Sequence, residues 1–116
     1  MKPIGQSIFN NHLFLKKLSF TKSDRKRRQL LRLATNEELL AIIEIALNIL
    51  KGRFELSPKQ KYQLLPYAST IRQISRAKTP KGIKKVLQTG GGLSILPALI
   101  APVIVEIIRS LSSRES

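Results

Sequence analysis

Arg25, Lys26, Arg27 and Arg28 stand in one unbroken run, with Lys16, Lys17 and Lys22 upstream and Arg32 one helical turn beyond. Fixed positive charge at this density suits one kind of chemistry. It neutralises the phosphates of a polyanion, and the counterions released in exchange make the association steeply salt-dependent. The bias continues in Lys59, Lys61, Arg72 and Arg76, and again in Lys81, Lys84 and Lys85. With Lys22, the 25–28 run and Arg32, these are the candidate nucleic-acid contacts. No recognition helix, zinc-finger spacing or aromatic ribonucleoprotein motif accompanies them. The expected mode is therefore nonspecific contact with the phosphate backbone of DNA. The plainer alternatives for the run are a solvated face or an import signal.

Other chemistries find little to work with. The single histidine, His12, lies in a stretch that reads as a mobile arm and is expected to be solvated. Glu37, Glu38, Glu44 and Glu55 read as capping and surface groups rather than as a general acid–base pair. The glycines of "TGGG" (89–92) have no following Lys-Ser/Thr and no preceding strand, so they are not read as a phosphate-binding loop. The chain has no cysteine, which excludes disulfides and thiolate metal sites. The expectation is a non-enzyme with no cofactor, no metal and no small-molecule substrate.

The 116 residues suffice for one small domain, and 42% are hydrophobic, enough for a modest core of Leu, Ile and Val. The formal net charge of +14 is unevenly placed. Residues 1–34 hold nine cations against one acid, residues 35–89 hold ten against four, and residues 90–116 balance at two and two. A basic body is thus joined to a neutral, apolar end, and such a body favours nucleic acid or an anionic membrane surface. The first residues, "MKPIGQSIFNNHLFLKKL", lack an unbroken apolar stretch and a small-residue cleavage site, so secretion is not expected.

The elements that must position these cations read as helices throughout. Residues 1–22 show no sustained period and are expected to be a flexible basic arm. In "KSDRKRRQLLRLA" (22–34) Ser23 can cap a basic helix, with Leu30, Leu31 and Leu33 giving it some apolar surface. Thr35 and Glu38 form a capping box that opens a central helix. Its broad apolar stripe holds Leu39, Ile42, Ile43, Ala46, Leu47, Ile49 and Leu50, and Gly52 supplies a stop. Ser57, Pro58 and Gln60 repeat the N-terminal signature. The helix that follows should turn Tyr62, Leu65, Ile71 and Ile74 inward, with a kink or break at Pro66. Thr79 and Pro80 open a last short helix with Ile83, Val86 and Leu87 on one side and Lys81, Lys84 and Lys85 on the other. The expected fold is all-α: a small bundle of three or four short helices over 23–89, a glycine hinge at 90–92, and an apolar C-terminal helix over 93–116.

That last segment runs from Leu93 to Val105 without a charge. It is short for a membrane span, which needs about 20 apolar residues, and it contains Pro97 and Pro102. Three readings stay open: a helix folded onto the body, a membrane-inserting or interfacial segment, and a docking segment separable at the glycines. In the latter two, Leu93, Ile95, Leu96, Leu99, Ile100, Val103, Ile104 and Ile107 would meet membrane or partner. Three glycines in a row also suit an extended protease cleft, since they present no side chains to clash.

The stretch "GGGLSILPALIAPVI" (90–104) resembles a segment in the precursor of the small basic core protein of adenoviruses, where a basic stretch precedes a double glycine and an apolar run with Leu-Pro and Ala-Pro steps. The adenovirus-type maturation protease favours such a Gly-Gly junction, which implies a cleavage site at Gln88, Thr89, Gly90 and Gly91, cut before Gly92. The longer stretch 46–92, with "LSPKQK", a tyrosine-bearing helix, a Lys-rich turn and the glycine step, is similar to a short basic protein of Polinton (Maverick) elements and related adenovirus-like viruses. The resemblance implies a minor virion or mobile-element core protein that binds DNA, resides in virion and host nucleus, and meets capsid proteins and a processing protease. The adenovirus core peptide is an arginine-dense polycation, whereas residues 35–89 here carry amphipathic helices. A membrane-active minor capsid protein and a small helical protein-interaction adaptor are the alternative readings.

Overall fold

The computed structural model describes residues 6–89 and 92–115, with side chains of the last stretch described over 95–109. Its described residues form α-helices and one 3₁₀ turn, and the fold is all-α. In chain order these are α1 (Gln6–Asn10), α2 (His12–Phe20), α3 (Asp24–Leu33), α4 (Asn36–Leu50), α5 (Pro58–Leu64), the 3₁₀ turn Leu65–Tyr67, α6 (Ala68–Arg76), α7 (Pro80–Thr89) and α8 (Gly92–Glu115). Helix α4 packs against α1, α6, α7 and α8, while α8 packs against α2, α3, α5 and α7 as well. Two long helices therefore make the middle, and the short ones cover them. The radius of gyration, 13.3 Å, matches the roughly 13 Å expected of a folded chain this long.

Local chemistry sets most of the boundaries. The Thr35 hydroxyl accepts from the Glu38 N–H at 3.1 Å and the Glu38 carboxylate accepts from the Thr35 N–H at 2.8 Å, closing the capping box that starts α4. Ser57 and Gln60 do the same for α5, at 3.1 and 2.9 Å. At the far end of α4, Gly52 takes φ 68°. The Gly52 N–H donates to Ile49 O and the Arg53 N–H to Asn48 O, the paired bonds of a Schellman stop. Thr79 accepts from the Gly82 N–H at 3.0 Å and starts α7. Gly82 itself has no room for a side chain, because an added Cβ would sit 2.7 Å from the Ala77 carbonyl oxygen.

Several expectations are corrected by the packing. The arm expected to be flexible over 1–22 is helical from Gln6 to Phe20, and Ile8, Leu15 and Leu18 are fully buried. His12 is half-buried, its Nδ1 2.9 Å from the Phe9 carbonyl oxygen and its ring against the Phe9 ring. Tyr62 and Leu65, read as inward, are 80% and 71% exposed. The physical reason is helical phase: Leu64 shares a face with Ile71 and Ile74, at spacings of seven and three, and takes the inward place on α5. Pro66, which cannot donate to the preceding turn, tightens the helix into the 3₁₀ turn Leu65–Tyr67, and Ile71 and Ile74 beyond it are buried as expected.

The apolar end differs most. Helix α8 runs continuously through Pro97 and Pro102, although each proline removes one internal hydrogen bond. Ile95, Leu96, Leu99, Ile100 and Val103 have no exposed surface, and Ile104 and Ile107 have almost none. These side chains belong to the same hydrophobic cluster as Leu15 and Leu18 of α2, Ile42 and Ile45 of α4, and Ile83 and Leu87 of α7. Burial of that face holds the helix where the prolines weaken it. Among the described residues no helix is long and apolar enough to cross a membrane.

Candidate nucleic-acid interface

Helix α3 carries most of the basic run, and its geometry sorts residues that look alike in the sequence. Ser23 caps it, accepting from the Lys26 N–H at 3.4 Å. Successive side chains then point about 100° apart. Arg27 and Leu31 fall on the buried side. Arg25, Arg28 and Arg32 share one outward flank, at helical spacings of three and four, and all three are exposed. Lys26, Gln29 and Leu33 take the other flank.

Arg27 is thereby removed from the candidate interface. It is 8% exposed, and its guanidinium donates to Asp24 Oδ1 at 2.6 Å. Its Nε is buried without a partner. The residue pairs with the acid of its own helix, and its side chain is turned away from solvent.

The arginine flank continues onto α7. Lys84 Nζ donates to the Arg32 carbonyl oxygen at 3.5 Å, across 52 residues of sequence. That contact lays the lysine side of α7 beside the arginine side of α3. Lys81 and Lys85 are exposed there, and with Lys84, Thr79 and Gln88 they line a shallow depression of about 570 Å³. Helix α7 contains no acid, and the single acid of α3, Asp24, one turn before Arg28, is paired with Arg27. From Arg25 to Arg32 the flank measures about 10 Å along the helix, the axial rise of roughly three phosphates on one DNA strand.

The remaining candidates are more dispersed. Arg72 and Arg76 are exposed on α6, which packs against α7. Lys59 and Lys61 are exposed on α5, which packs against α8 and the 3₁₀ turn. Lys22 is exposed in the loop before α3. Gln88 and Thr89 are the last helical residues of α7 and Gly92 is the first of α8, so an extended protease cleft would have to unwind helix on its upstream side. Gly90 and Gly91 lie outside the described residues, as do the side chains of Thr89, Gly92 and Leu93. The other residues assigned to membrane or partner contact, from Ile95 to Ile107, line the core.

Sequence reasoning missed the contribution of α2. Its outward face combines Leu13, Lys17 and Phe20, and Leu13 and Phe20 are 67% and 66% exposed. The spacing of three and four was available as a signal, hidden because Phe14, Leu15 and Leu18 repeat it on the opposite face.

No family model, no curated protein and no solved structure matches the chain.

Proposed function

We propose that the protein binds DNA nonspecifically, as a minor core protein of a virion or mobile element, through the flank formed by Arg25, Arg28 and Arg32 of α3 with Lys81, Lys84 and Lys85 of α7. The observation that carries this reading is the Lys84–Arg32 contact, which joins two basic stretches distant in sequence into one surface whose single nearby acid, Asp24, is paired with Arg27. A second consideration supports it. Arg25 sits in the first turn of α3 and Lys81 in the first turn of α7, where the helix dipole favours anions. Cations at those positions destabilise the free protein slightly, and phosphates beside them reverse the penalty.

In this reading the 90–92 step is a hinge at which an adenovirus-type protease cuts before Gly92. Because α8 fills the core, such a cut would loosen the body rather than release an idle tail. Capsid proteins would then be met by a remodelled particle protein.

The test is affinity of the full chain for labelled duplexes of unrelated sequence, measured from about 50 to 200 mM salt. Equal affinity for all sequences and a log–log slope of several units are expected. DNA should also raise the melting temperature at low salt, since a ligand of the folded state stabilises it by mass action. Absence of binding at the lowest salt overturns the proposal.

A further inference from the structure

The second flank of α3 faces different company. Lys26, Gln29, Leu30 and Leu33 line a groove of about 370 Å³ whose other wall is Lys17 and Thr21 of α2 and the loop beyond it. Leu33 is 74% exposed. Leu13 and Phe20, on either side of Lys17 along the outward face of α2, are exposed to a similar degree. Three large apolar side chains therefore protrude among lysines on one side of the molecule.

From this juxtaposition we propose that the α2–α3 corner docks on an anionic lipid surface. Charge complementarity selects the occupant. Lys16, Lys17 and Lys26 stand among the apolar side chains, and α2 contains no acid. The single acid of α3, Asp24, is neutralised by Arg27. A second copy of the chain would bring the same positive face and be repelled. Shape separates lipid from a partner helix. Leu13 and Phe20 project outward beyond the groove, at whose edge Leu33 stands 74% exposed, and projecting Leu and Phe can enter the boundary between headgroups and acyl chains. Lysines beside them keep their stems in that boundary and their ammonium groups at the phosphates. The docking is peripheral. It uses α2 and α3, leaves α8 in the core, and does not rest on the DNA reading.

The experiment is co-sedimentation of the full chain with vesicles of phosphatidylcholine alone and of phosphatidylcholine with one quarter phosphatidylglycerol. Sedimentation with the anionic vesicles only is expected. The double variant Leu13→Ser/Phe20→Ser replaces two exposed side chains, so it should fold, as its circular dichroism would show. It should lose affinity for the anionic vesicles by about tenfold or more and keep its DNA affinity. Two outcomes overturn the proposal. Equal vesicle binding by variant and parent would show charge acting alone. Failure of the parent to sediment with either vesicle would return the corner to an acidic protein partner.

Discussion

Arg25, Arg28 and Arg32 on one flank of α3, and Lys26 with Leu33 on the other, lie only about 100° apart around one helix, yet they meet different neighbours. The arginine flank abuts the lysines of α7 and holds no exposed large apolar side chain. The lysine flank opens on a groove beside α2, with Leu13, Phe20 and Leu33 protruding around it. The difference teaches that net charge alone names no partner. Cations grouped with cations suit a row of phosphates, where guanidinium groups donate in pairs. Cations spaced among apolar side chains suit an interface that is charged at its surface and apolar just beneath.

The comparison depends on α8, which packs beneath both α2 and α3. Leu99 is fully buried on it, and Leu99→Ala is expected to cost about 2–5 kcal/mol. Chemical denaturation would read the loss, and a value near zero would mean that α8 is not the shared floor of the two flanks. The same reasoning makes truncation before α8 a poor test of either flank, since it removes core.

The next largest effect sharpens the division itself. Arg25→Glu/Arg28→Glu/Arg32→Glu should lower DNA affinity roughly a hundredfold at low salt, at about 1 kcal/mol for each lost phosphate contact. Fluorescence anisotropy with a labelled duplex measures it. Leu13→Ser/Phe20→Ser should leave the same measurement unchanged, and any parallel loss would merge the two flanks into one site.

Smaller shifts test the supports. Gly82→Ala gains helix propensity worth about 1 kcal/mol, but its Cβ would collide with the Ala77 carbonyl oxygen at 2.7 Å. Net destabilisation of about 1–2 kcal/mol is expected, seen as a lower melting temperature, and a rise would show that α7 can shift freely. Arg27→Met should change stability by no more than about 1 kcal/mol, because Asp24 is more than half exposed and stays solvated without its partner, and ion pairs open to water contribute little. Its DNA affinity should stay within about twofold of the parent. A larger loss would place Arg27 back among the contacts.

The all-helical fold was legible because its signals are local. Thr35 with Glu38, Ser57 with Gln60, and Gly52 each act within one turn, and each sits where its residue type implies. What depends on phase was harder. Tyr62 and Leu65 are apolar at helical spacing, yet Leu64 beside them shares the face of Ile71 and takes the core position. In α2 the apolar residues fall on both faces, so the helix resembles an irregular arm until Leu15 and Leu18 find a core to bury them. Pro97 and Pro102 imply interruption, and only the packed face of α8 overrides them. At the candidate interface, the four adjacent cations of 25–28 are equivalent in a sequence. On a helix Arg25 and Arg28 share one flank, Lys26 takes another, and Arg27 goes inward.

The most direct test of the central claim is the salt dependence of DNA affinity for the parent chain and for Arg25→Gln/Arg28→Gln/Arg32→Gln. If these three side chains neutralise phosphates, the log–log slope becomes shallower by about 0.9 for each contact removed, close to three units in all. An unchanged slope would contradict the account, because the arginine flank of α3 would then hold no phosphate at all.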